Sequence, residues 1–274
     1  MQFWKMHGLG NDYIVIDNRD NVLHENDIND FARKLCERRF SVGADGLLLV
    51  YNSSLADVKM RIFNADGTEA EMCGNGIRCF AKYCYENNIV KKNRMKIETL
   101  AGVKDTWLTI ISGEVKRVKV DMGIPSLKRN SLPMVGKGFC INEELNVDKE
   151  KFKVTCLSVG NPHCVIFVDD VKSFPVHVVG PKIENLNVFP NRTNVEFVQA
   201  LNKNELSVRA WERGCGETLA CGTGACASVV AANLVKKANH KVRVYLLGGE
   251  LEIEYRENIF MTGKAEKVFA GKLF

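Results

Sequence analysis

Residues 221–235 have the sequence CGTGACASVVAANLV, in which a cysteine and a Gly-Thr-Gly turn come before a run of small and apolar residues. The run Ala225–Val235 has the composition of a helix with almost no polar face. A helix of this kind is stable only when other elements cover it on all sides. The sequence therefore predicts a central helix enclosed by β-strands.

A second stretch of the same kind begins at residue 73, where the sequence CGNG precedes a helix predicted over Ile77–Glu86. The apolar residues of that helix recur at intervals of three and four, which is the spacing of one helix face. Cys73 and Cys221 lie 148 residues apart, and each comes directly before a Gly-x-Gly turn. This correspondence suggests that the two stretches are copies of one motif.

Other parts of the chain repeat in the same order. At shifts of 148 or 150 residues, three further pairs of blocks align: Arg61–Asn64 with Arg209–Glu212, Gly46–Val50 with Asn194–Val198, and Gly10-Asn11 with Gly160-Asn161. A repeat of about half of the 274 residues indicates two homologous domains and not a solenoid. We predict the domains at 1–121, completed by a C-terminal strand at 265–274, and at 122–264.

Short apolar segments separated by polar turns predict strands along both halves of the chain. The predicted strands are Tyr13–Asp17, Leu47–Tyr51, Val58–Phe63, several between Met95 and Val120, Lys153–Leu157, Val165–Val168, Val195–Val198, Leu206–Trp211, Val242–Leu247 and Leu251–Tyr255. A further helix is predicted over Asp27–Arg38. Many short strands with few helices favour the α+β class. We expect two pseudo-symmetric domains, each a mostly antiparallel, barrel-like sheet wrapped around a central helix.

The composition limits the possible functions. Apolar residues make up 46% of the chain, charged residues make up 26%, and the formal net charge is +5, as in an ordinary globular protein. We therefore predict no nucleic-acid or membrane partner. The first residues, MQFWKMHGLGNDY, lack a basic segment followed by an apolar one, so we expect a cytoplasmic protein. The ten cysteines are then expected to be free thiols, eight of them packed in the core.

The placement of Cys73 and Cys221 suggests acid–base chemistry. The positive end of a helix and its free backbone N–H groups favour a thiolate over a thiol, and they also bind anions such as carboxylates. If the domains face each other about a pseudo-twofold axis, the two sulfurs flank one cleft. One group can then remove a proton from a carbon while the other returns a proton from the opposite side, which inverts the stereocentre. No Schiff-base lysine is evident, so we predict no pyridoxal cofactor.

Several long motifs resemble the diaminopimelate epimerase family. They are Phe63–Glu69 (FNADGTE), Met72–Cys79 (MCGNGIRC), Gly160–His163 (GNPH), Trp211–Gly214 (WERG) and Ala220–Gly224 (ACGTG). The resemblance extends from His7 to Gly263. It implies the diaminopimelate epimerase-like fold and a cofactor-independent interconversion of LL- and meso-2,6-diaminopimelate in lysine and peptidoglycan precursor biosynthesis. It also implies a small-molecule substrate, diaminopimelate, and a homodimer.

The resemblance assigns roles residue by residue. It makes Cys73 and Cys221 the catalytic thiolate and thiol, and it gives His163 and Glu212 a part in tuning them. The residues that it implies for substrate binding are Asn11, Asn64, Gly74, Asn75, Asn161, Asn194, Glu212, Arg213, Gly222 and Thr223. Arg213 can form a fork with a carboxylate, and Glu212 can accept from an ammonium group. The chain departs from several members at Gly46, where they carry glutamine.

Two other functions are compatible with the pattern. A proline racemase-like enzyme of the same broad fold also uses a cysteine pair, and a non-catalytic amino-acid-binding protein would keep the binding residues without needing thiols. The asparagines and the Glu212-Arg213 pair favour an open-chain substrate with a distal polar end. A metal site is not predicted, because the spacing C-x5-C-x4-C in both copies lacks a C-x2-C pair or paired histidines.

Overall fold

The computed structural model describes residues 1–273 and divides into two compact units. The first unit is Met1–Asp121 together with the residues from Thr262 onward, and the second is Met122–Met261. These units are groups of residues in mutual contact. The domain limits inferred from the sequence, 1–121 with 265–274 and 122–264, stay a prediction.

The described residues form eighteen strands and four α-helices, mixed along the chain, and two short 3-10 helices at Glu25–Asp27 and Arg129–Ser131. In chain order they are β1 (Gln2–Gly8), β2 (Asn11–Asp17), α1 (Ile28–Cys36), β3 (Gly46–Tyr51), β4 (Val58–Asn64), β5 (Glu69–Ala70), α2 (Gly74–Glu86), β6 (Arg94–Thr99), β7 (Gly102–Ile111), β8 (Glu114–Gly123), β9 (Cys140–Val147), β10 (Glu150–Ser158), β11 (Pro162–Phe167), α3 (Val176–Glu184), β12 (Asn194–Asn202), β13 (Glu205–Glu212), β14 (Gly216–Thr218), α4 (Gly222–Leu234), β15 (Lys241–Leu246), β16 (Gly249–Tyr255), β17 (Ile259–Gly263) and β18 (Glu266–Lys272). This composition confirms the α+β class.

The first unit is mostly antiparallel and encloses α2. Strand β1 pairs with both β18 and β2, and β3 pairs with β4; the parallel pairs are β2 with β3 and β4 with β6. Helix α2 packs against β1, β2, β3, β4 and β7, and its residues 74–84 are all buried. The helix is thus the core of this unit, and its first turn is positioned by the surrounding strands.

The second unit has the same plan around α4. The antiparallel pairs include β9 with β10, β10 with β11 and β12 with β13, and the parallel pairs are β11 with β12 and β13 with β15. Helix α4 lies against β10, β11, β12, β13, β15 and β16. Its residues are buried from Ala225 to Ala232, because alanine, serine and valine allow strands to approach on every side.

The strand registers repeat at the shifts found in the sequence. In the first unit Tyr13 pairs with Gly46, and in the second His163 pairs with Asn194, in both cases between parallel strands. The following antiparallel pair joins Leu47 to Phe63 in one unit and Val195 to Trp211 in the other. The duplication therefore extends from sequence blocks to individual pairs of residues.

Helix α3 is absent from the sequence-based prediction, although it lies 148 residues after α1. The helix was not predicted because its segment contains Pro175, Gly180 and Pro181, and glycine and proline are poor helix formers. The structure gives a packing reason for the glycine: a Cβ at Gly180 would lie 2.6 Å from Cγ of Trp211. Close contact between helix and strand outweighs local helix propensity here.

The cysteines outside the helix starts are mostly packed, as predicted. Seven of the eight are buried: Cys36, Cys79, Cys84, Cys140, Cys156, Cys164 and Cys226. The prediction is wrong for Cys215, which is exposed. It lies in the turn between β13 and β14, where its backbone N–H donates to Glu212 O and the chain reverses at the surface.

Candidate active site

Cys73 is the residue immediately before α2, and its side chain caps the helix. Its backbone is extended, with φ −139° and ψ 124°, so the sulfur turns back over the first helical turn. The backbone N–H of Gly76 donates to Sγ at 3.4 Å. This is the position in which an N-cap side chain accepts from a free helix donor. A thiolate at this position would be stabilised by the same N–H groups.

Three polar side chains connect at Cys73. The Tyr13 hydroxyl lies 2.9 Å from Cys73 Sγ and 2.8 Å from Asn11 Oδ1. The Asn75 amide donates to the same Asn11 oxygen at 3.3 Å. Burial raises the pKa of Tyr13 well above its ordinary value, and the neighbouring Cys73 raises it further. The phenol therefore keeps its proton and can act as a hydrogen-bond donor.

Arg78 forms hydrogen bonds with the first turn of α2. Its fully buried guanidinium donates to Gly74 O and to Asn75 Oδ1, each at 2.9 Å. It also donates to Lys264 O at 3.1 Å. Arg78 thus orients two predicted substrate-binding residues and ties them to the C-terminal part of the unit.

Asn64 lies at the end of β4, apart from the network around Cys73. It is exposed, and its amide donates to Thr68 Oγ1 at 3.0 Å. Its register partner is Gly46, where a Cβ would lie only 2.7 Å from Phe63 O and 3.1 Å from the Tyr13 ring. The backbone and the tyrosine therefore explain why this chain has glycine at position 46.

Asn11 also contacts a cluster of ion pairs. Asn11 donates to Asp45, and the neighbouring Asp12 pairs with both Lys5 (2.7 Å) and Arg38 (2.6 Å). Burial raises the pKa of Asp12, but the hydrogen bonds from Arg38 and Lys5 outweigh this effect and hold the pKa at about 2. The carboxylate form of Asp12 is therefore the form that stabilises this part of the unit.

We expect Asp12→Asn to lower the free energy of unfolding by about 2 kcal/mol at pH 7. A carboxyl whose pKa is depressed by folding contributes stability above its ordinary pKa near 3.8, and this contribution is lost as the pH falls toward 2. The difference between wild type and variant should therefore shrink below about pH 4. Urea unfolding followed by circular dichroism from pH 3 to 7 measures it. Exposed Asp20→Asn is the control, and an Asp12→Asn loss independent of pH would contradict the explanation.

Cys221 caps α4 in the way that Cys73 caps α2. The backbone N–H of Gly224 donates to Cys221 Sγ at 3.3 Å, and Thr223 Oγ1 lies 3.5 Å from the sulfur. The surroundings nevertheless differ, because Cys221 is buried. Burial raises its pKa well above the ordinary value, and the carboxyl groups of Glu212 and Glu196 raise it further. Cys221 therefore favours the thiol form.

A buried histidine–glutamate pair lies close to the start of α4. Nδ1 of His163 is 2.7 Å from Oε1 of Glu196, and Nε2 is 2.9 Å from Oδ1 of Asn161. Both side chains are fully buried, and burial raises the pKa of Glu196 despite the opposing effect of its hydrogen bond with His163. A Cβ at Gly224 would lie 2.6 Å from Glu196 Oε1. Glycine at position 224 thus lets the carboxyl group approach the helix.

Asn194, Glu212 and Arg213 make contacts at the adjoining strand ends. The Asn194 amide donates to Pro162 O at 2.7 Å and accepts from the Arg213 backbone N–H at 2.9 Å. Glu212 accepts from the Thr218 hydroxyl. Arg213 is exposed, and its guanidinium donates to Asn191 O at 3.2 Å.

The structure groups most of the predicted residues within their own units. Asn11, Cys73 and Asn75 share one network, with Gly74 as the first residue of α2; Asn64 lies outside it. In the second unit, Thr223 contacts Cys221, Gly222 begins α4, Asn161 contacts His163, and Glu212 acts on Cys221 through its charge.

Sequence reasoning missed Tyr13 and Glu196. Glu196 left a signal, because it is a charged residue inside the apolar run Asn194–Val198, at the position that Leu48 occupies in the other copy. Tyr13 left none, because tyrosine is common in buried strands. Within residues 1–273, no group of three His, Cys, Asp or Glu side chains is placed to hold a metal ion. No helix in this range is long and apolar enough to cross a membrane.

Comparison with known sequences identifies a family. The family model described as diaminopimelate epimerase matches residues 3–128 and 155–268. The diaminopimelate epimerases of Moorella thermoacetica and Pelotomaculum thermopropionicum are each 50% identical to this chain, over 99% of it and 98% of their own length. That of Methanococcus maripaludis is 47% identical over 100% of this chain and 99% of its own.

Solved structures of more distant proteins are similar over nearly the whole chain. A PhzF-family phenazine biosynthesis protein from Bacillus anthracis is 18% identical with a TM-score of 0.72, covering 100% of this chain and 99% of its own. A probable proline racemase from Agrobacterium radiobacter is 13% identical with a TM-score of 0.73, covering 100% and 92%. At such identities the likeness concerns the fold, and it confirms the predicted fold class.

Proposed function

The chain belongs to the diaminopimelate epimerase family and is an isomerase that interconverts LL- and meso-2,6-diaminopimelate, and we propose that Cys73 and Cys221 are its two acid–base groups. The observation that carries this proposal is the repeated helix cap. In each unit the cysteine sulfur accepts a hydrogen bond from the N–H three residues later, at the first turn of a buried helix. The same placement in both copies supports a shared role in the reaction.

The proposed reaction moves protons only. A thiolate takes the α-proton of the substrate, the electron pair of the C–H bond remains on the α-carbon, and a thiol gives a proton to the opposite face of that carbon. One thiolate becomes a thiol, one thiol becomes a thiolate, and the configuration at the carbon is inverted. Positioned acid–base groups of this kind accelerate proton transfer by about 10²- to 10⁴-fold.

We propose that Cys73 is the thiolate and Cys221 the thiol in the resting enzyme. Burial and the carboxyl groups of Glu212 and Glu196 raise the pKa of Cys221, which supports its holding the proton. Cys73 is only partly buried and has the protonated Tyr13 hydroxyl 2.9 Å from its sulfur. A neutral donor beside one sulfur and carboxyl groups beside the other make the two thiols unequal before substrate binds.

The remaining predicted residues would hold the substrate. The backbone N–H groups at the starts of α2 and α4, contributed by Gly74, Asn75, Gly222 and Thr223, suit a carboxylate. The exposed Arg213 guanidinium suits the second carboxylate, and Glu212 suits an ammonium group. Asparagines can serve either charge, which fits the roles of Asn11, Asn64, Asn161 and Asn194. His163 would act on Cys221 indirectly, through its pair with Glu196.

Several coarser features are part of the same proposal. Proton exchange at a thiol pair uses no pyridoxal group, so we propose a cofactor-independent enzyme. We further propose that it acts in the cytoplasm as a homodimer, on a small-molecule substrate and without nucleic-acid or membrane partners.

Incubation of the protein with LL-diaminopimelate tests the substrate directly. We expect conversion to an equilibrium mixture with the meso form, with one solvent deuterium entering the inverted α-carbon in D₂O. Chiral chromatography and mass spectrometry measure both outcomes, and L-proline is the matched control substrate. Inversion of proline without inversion of diaminopimelate would contradict the proposed function and favour a proline racemase-like activity. Binding without inversion would favour the amino-acid-binding protein.

A further inference from the structure

Tyr13 and His163 occupy equivalent positions in the two units but make different contacts. Each lies two residues after the asparagine of its unit, and each pairs in parallel with the first residue of the next strand. His163 contacts Glu196 and Asn161 through its two ring nitrogens. Tyr13 instead places its hydroxyl 2.9 Å from the sulfur of Cys73. The two units thus supply different chemical groups at one position.

The Tyr13 side chain is held in place by its surroundings. It is 5% exposed, and its ring lies beside Gly46, where a Cβ would be 3.1 Å from Cε1 and 3.3 Å from Cδ1. Glycine at position 46 therefore leaves the space that the ring uses. The hydroxyl lies between Cys73 Sγ and Asn11 Oδ1, so its single proton has two acceptors within reach.

We propose that Tyr13 is a positioning residue for Cys73. The Tyr13 hydroxyl donates a hydrogen bond to the sulfur when Cys73 is a thiolate, and it turns to Asn11 Oδ1 when Cys73 is a thiol. This proposal rests on the proposed role of Cys73 in proton transfer. Tyr13 keeps its proton throughout, so no covalent bond to it forms or breaks. A hydrogen bond made only to the charged form of an acid favours that form. Burial raises the pKa of Tyr13 well above its ordinary value, so the donor persists at the pH of an assay.

Other charged or titratable groups also act near Cys73, and the experiment must leave them unchanged. Asp45, from the segment before β3, and Cys79, in α2, both act on Tyr13. Arg78 and Lys82 act in turn on Cys79, as Cys73 does. The set to be left unchanged is therefore Asp45, Arg78, Cys79 and Lys82. Tyr13→Phe removes one hydroxyl and keeps the ring and all four of these groups. The variant therefore isolates the contribution of the hydroxyl.

The test measures how fast iodoacetamide alkylates Cys73 between pH 5 and pH 10, with peptide mass spectrometry to separate it from exposed Cys215. We expect Tyr13→Phe to raise the pH of half-maximal alkylation by about one unit, equivalent to a tenfold smaller thiolate fraction at acidic pH. The acidic limb of kcat/KM should move in the same direction. Tyr83→Phe, which removes the hydroxyl of another buried tyrosine of this unit, should leave both profiles unchanged.

A second measurement covers the case in which Tyr13→Phe does not fold. Wild-type protein containing 3-fluorotyrosine has a more acidic phenol and hence a stronger donor, so the half-maximal pH of Cys73 alkylation should fall. An unchanged profile in Tyr13→Phe, or in the fluorinated protein, would overturn the proposal. Alkylation does not need turnover. A failure of the catalytic role of Cys73 would instead show as full activity in Cys73→Ala, which separates the two outcomes.

Discussion

Replacement of Cys73 or Cys221 by alanine should lower kcat/KM for LL-diaminopimelate by about 10³-fold or more. Each change removes one of the two groups proposed to move the α-proton, and such groups contribute about 10²- to 10⁴-fold to a rate. Deuterium incorporation from solvent should fall with the rate of inversion, because both need proton exchange at the α-carbon. Chiral chromatography and mass spectrometry follow the two processes in the same samples.

The controls are cysteines on the same helices that do not cap them. Cys79→Ala in α2 and Cys226→Ala in α4 remove fully buried thiols and should keep most of the activity, with some loss of stability. Wild-type rates in both Cys73→Ala and Cys221→Ala would refute the proposed mechanism. A large loss in only one of them would reduce the proposal to a single acid–base cysteine.

Arg78→Met should lower the free energy of unfolding by about 3 kcal/mol. The buried guanidinium donates to Gly74 O, Asn75 Oδ1 and Lys264 O. Methionine fills much of the same volume but donates nothing, so the change removes charge-assisted hydrogen bonds and leaves buried acceptors unpaired. Urea unfolding monitored by circular dichroism measures the loss.

Two variants calibrate this result. Arg33→Met removes an arginine that is 55% exposed and pairs with Asp30 at the surface, and it should cost less than about 0.5 kcal/mol. Arg78→Lys keeps the charge but not the forked donors and should give an intermediate loss. If Arg78→Met and Arg33→Met cost the same, the buried hydrogen bonds of Arg78 do not stabilise the unit.

Much of the fold could be predicted because the sequence motifs occur twice in the same order. The apolar helix after Cys221 implied enclosure by strands, and the structure buries it among six strands. The starts of α2 and α4 were predicted three residues late, at Ile77 and Ala225, because glycine is a weak helix former. In the structure the capping cysteines let the helices begin at Gly74 and Gly222. Strand β1 was missed because Gln2–Gly8 lacks a clear apolar alternation.

The candidate site was only partly predictable. The electrostatic difference between its two cysteines depends on residues that are far from them in the chain. The resemblance pointed to Cys73 and Cys221 but treated them as equivalent. Sixty residues separate Tyr13 from the sulfur that it contacts, and the pair of His163 with Glu196 joins two different strands. Residue types at these positions are compatible with ordinary packing, so no local pattern identifies them.

The amino-acid sequence by itself determined the duplication, the enclosed helices and the two capping cysteines, because these depend on spacing and on local chemistry at a helix start. The tertiary structure alone decided the electrostatic difference between the two sulfurs. One sulfur has a neutral hydroxyl at 2.9 Å, while the other is buried near two carboxyl groups. The stability of a thiolate depends on burial and on charges within a few ångströms, and folding sets both by bringing distant segments together.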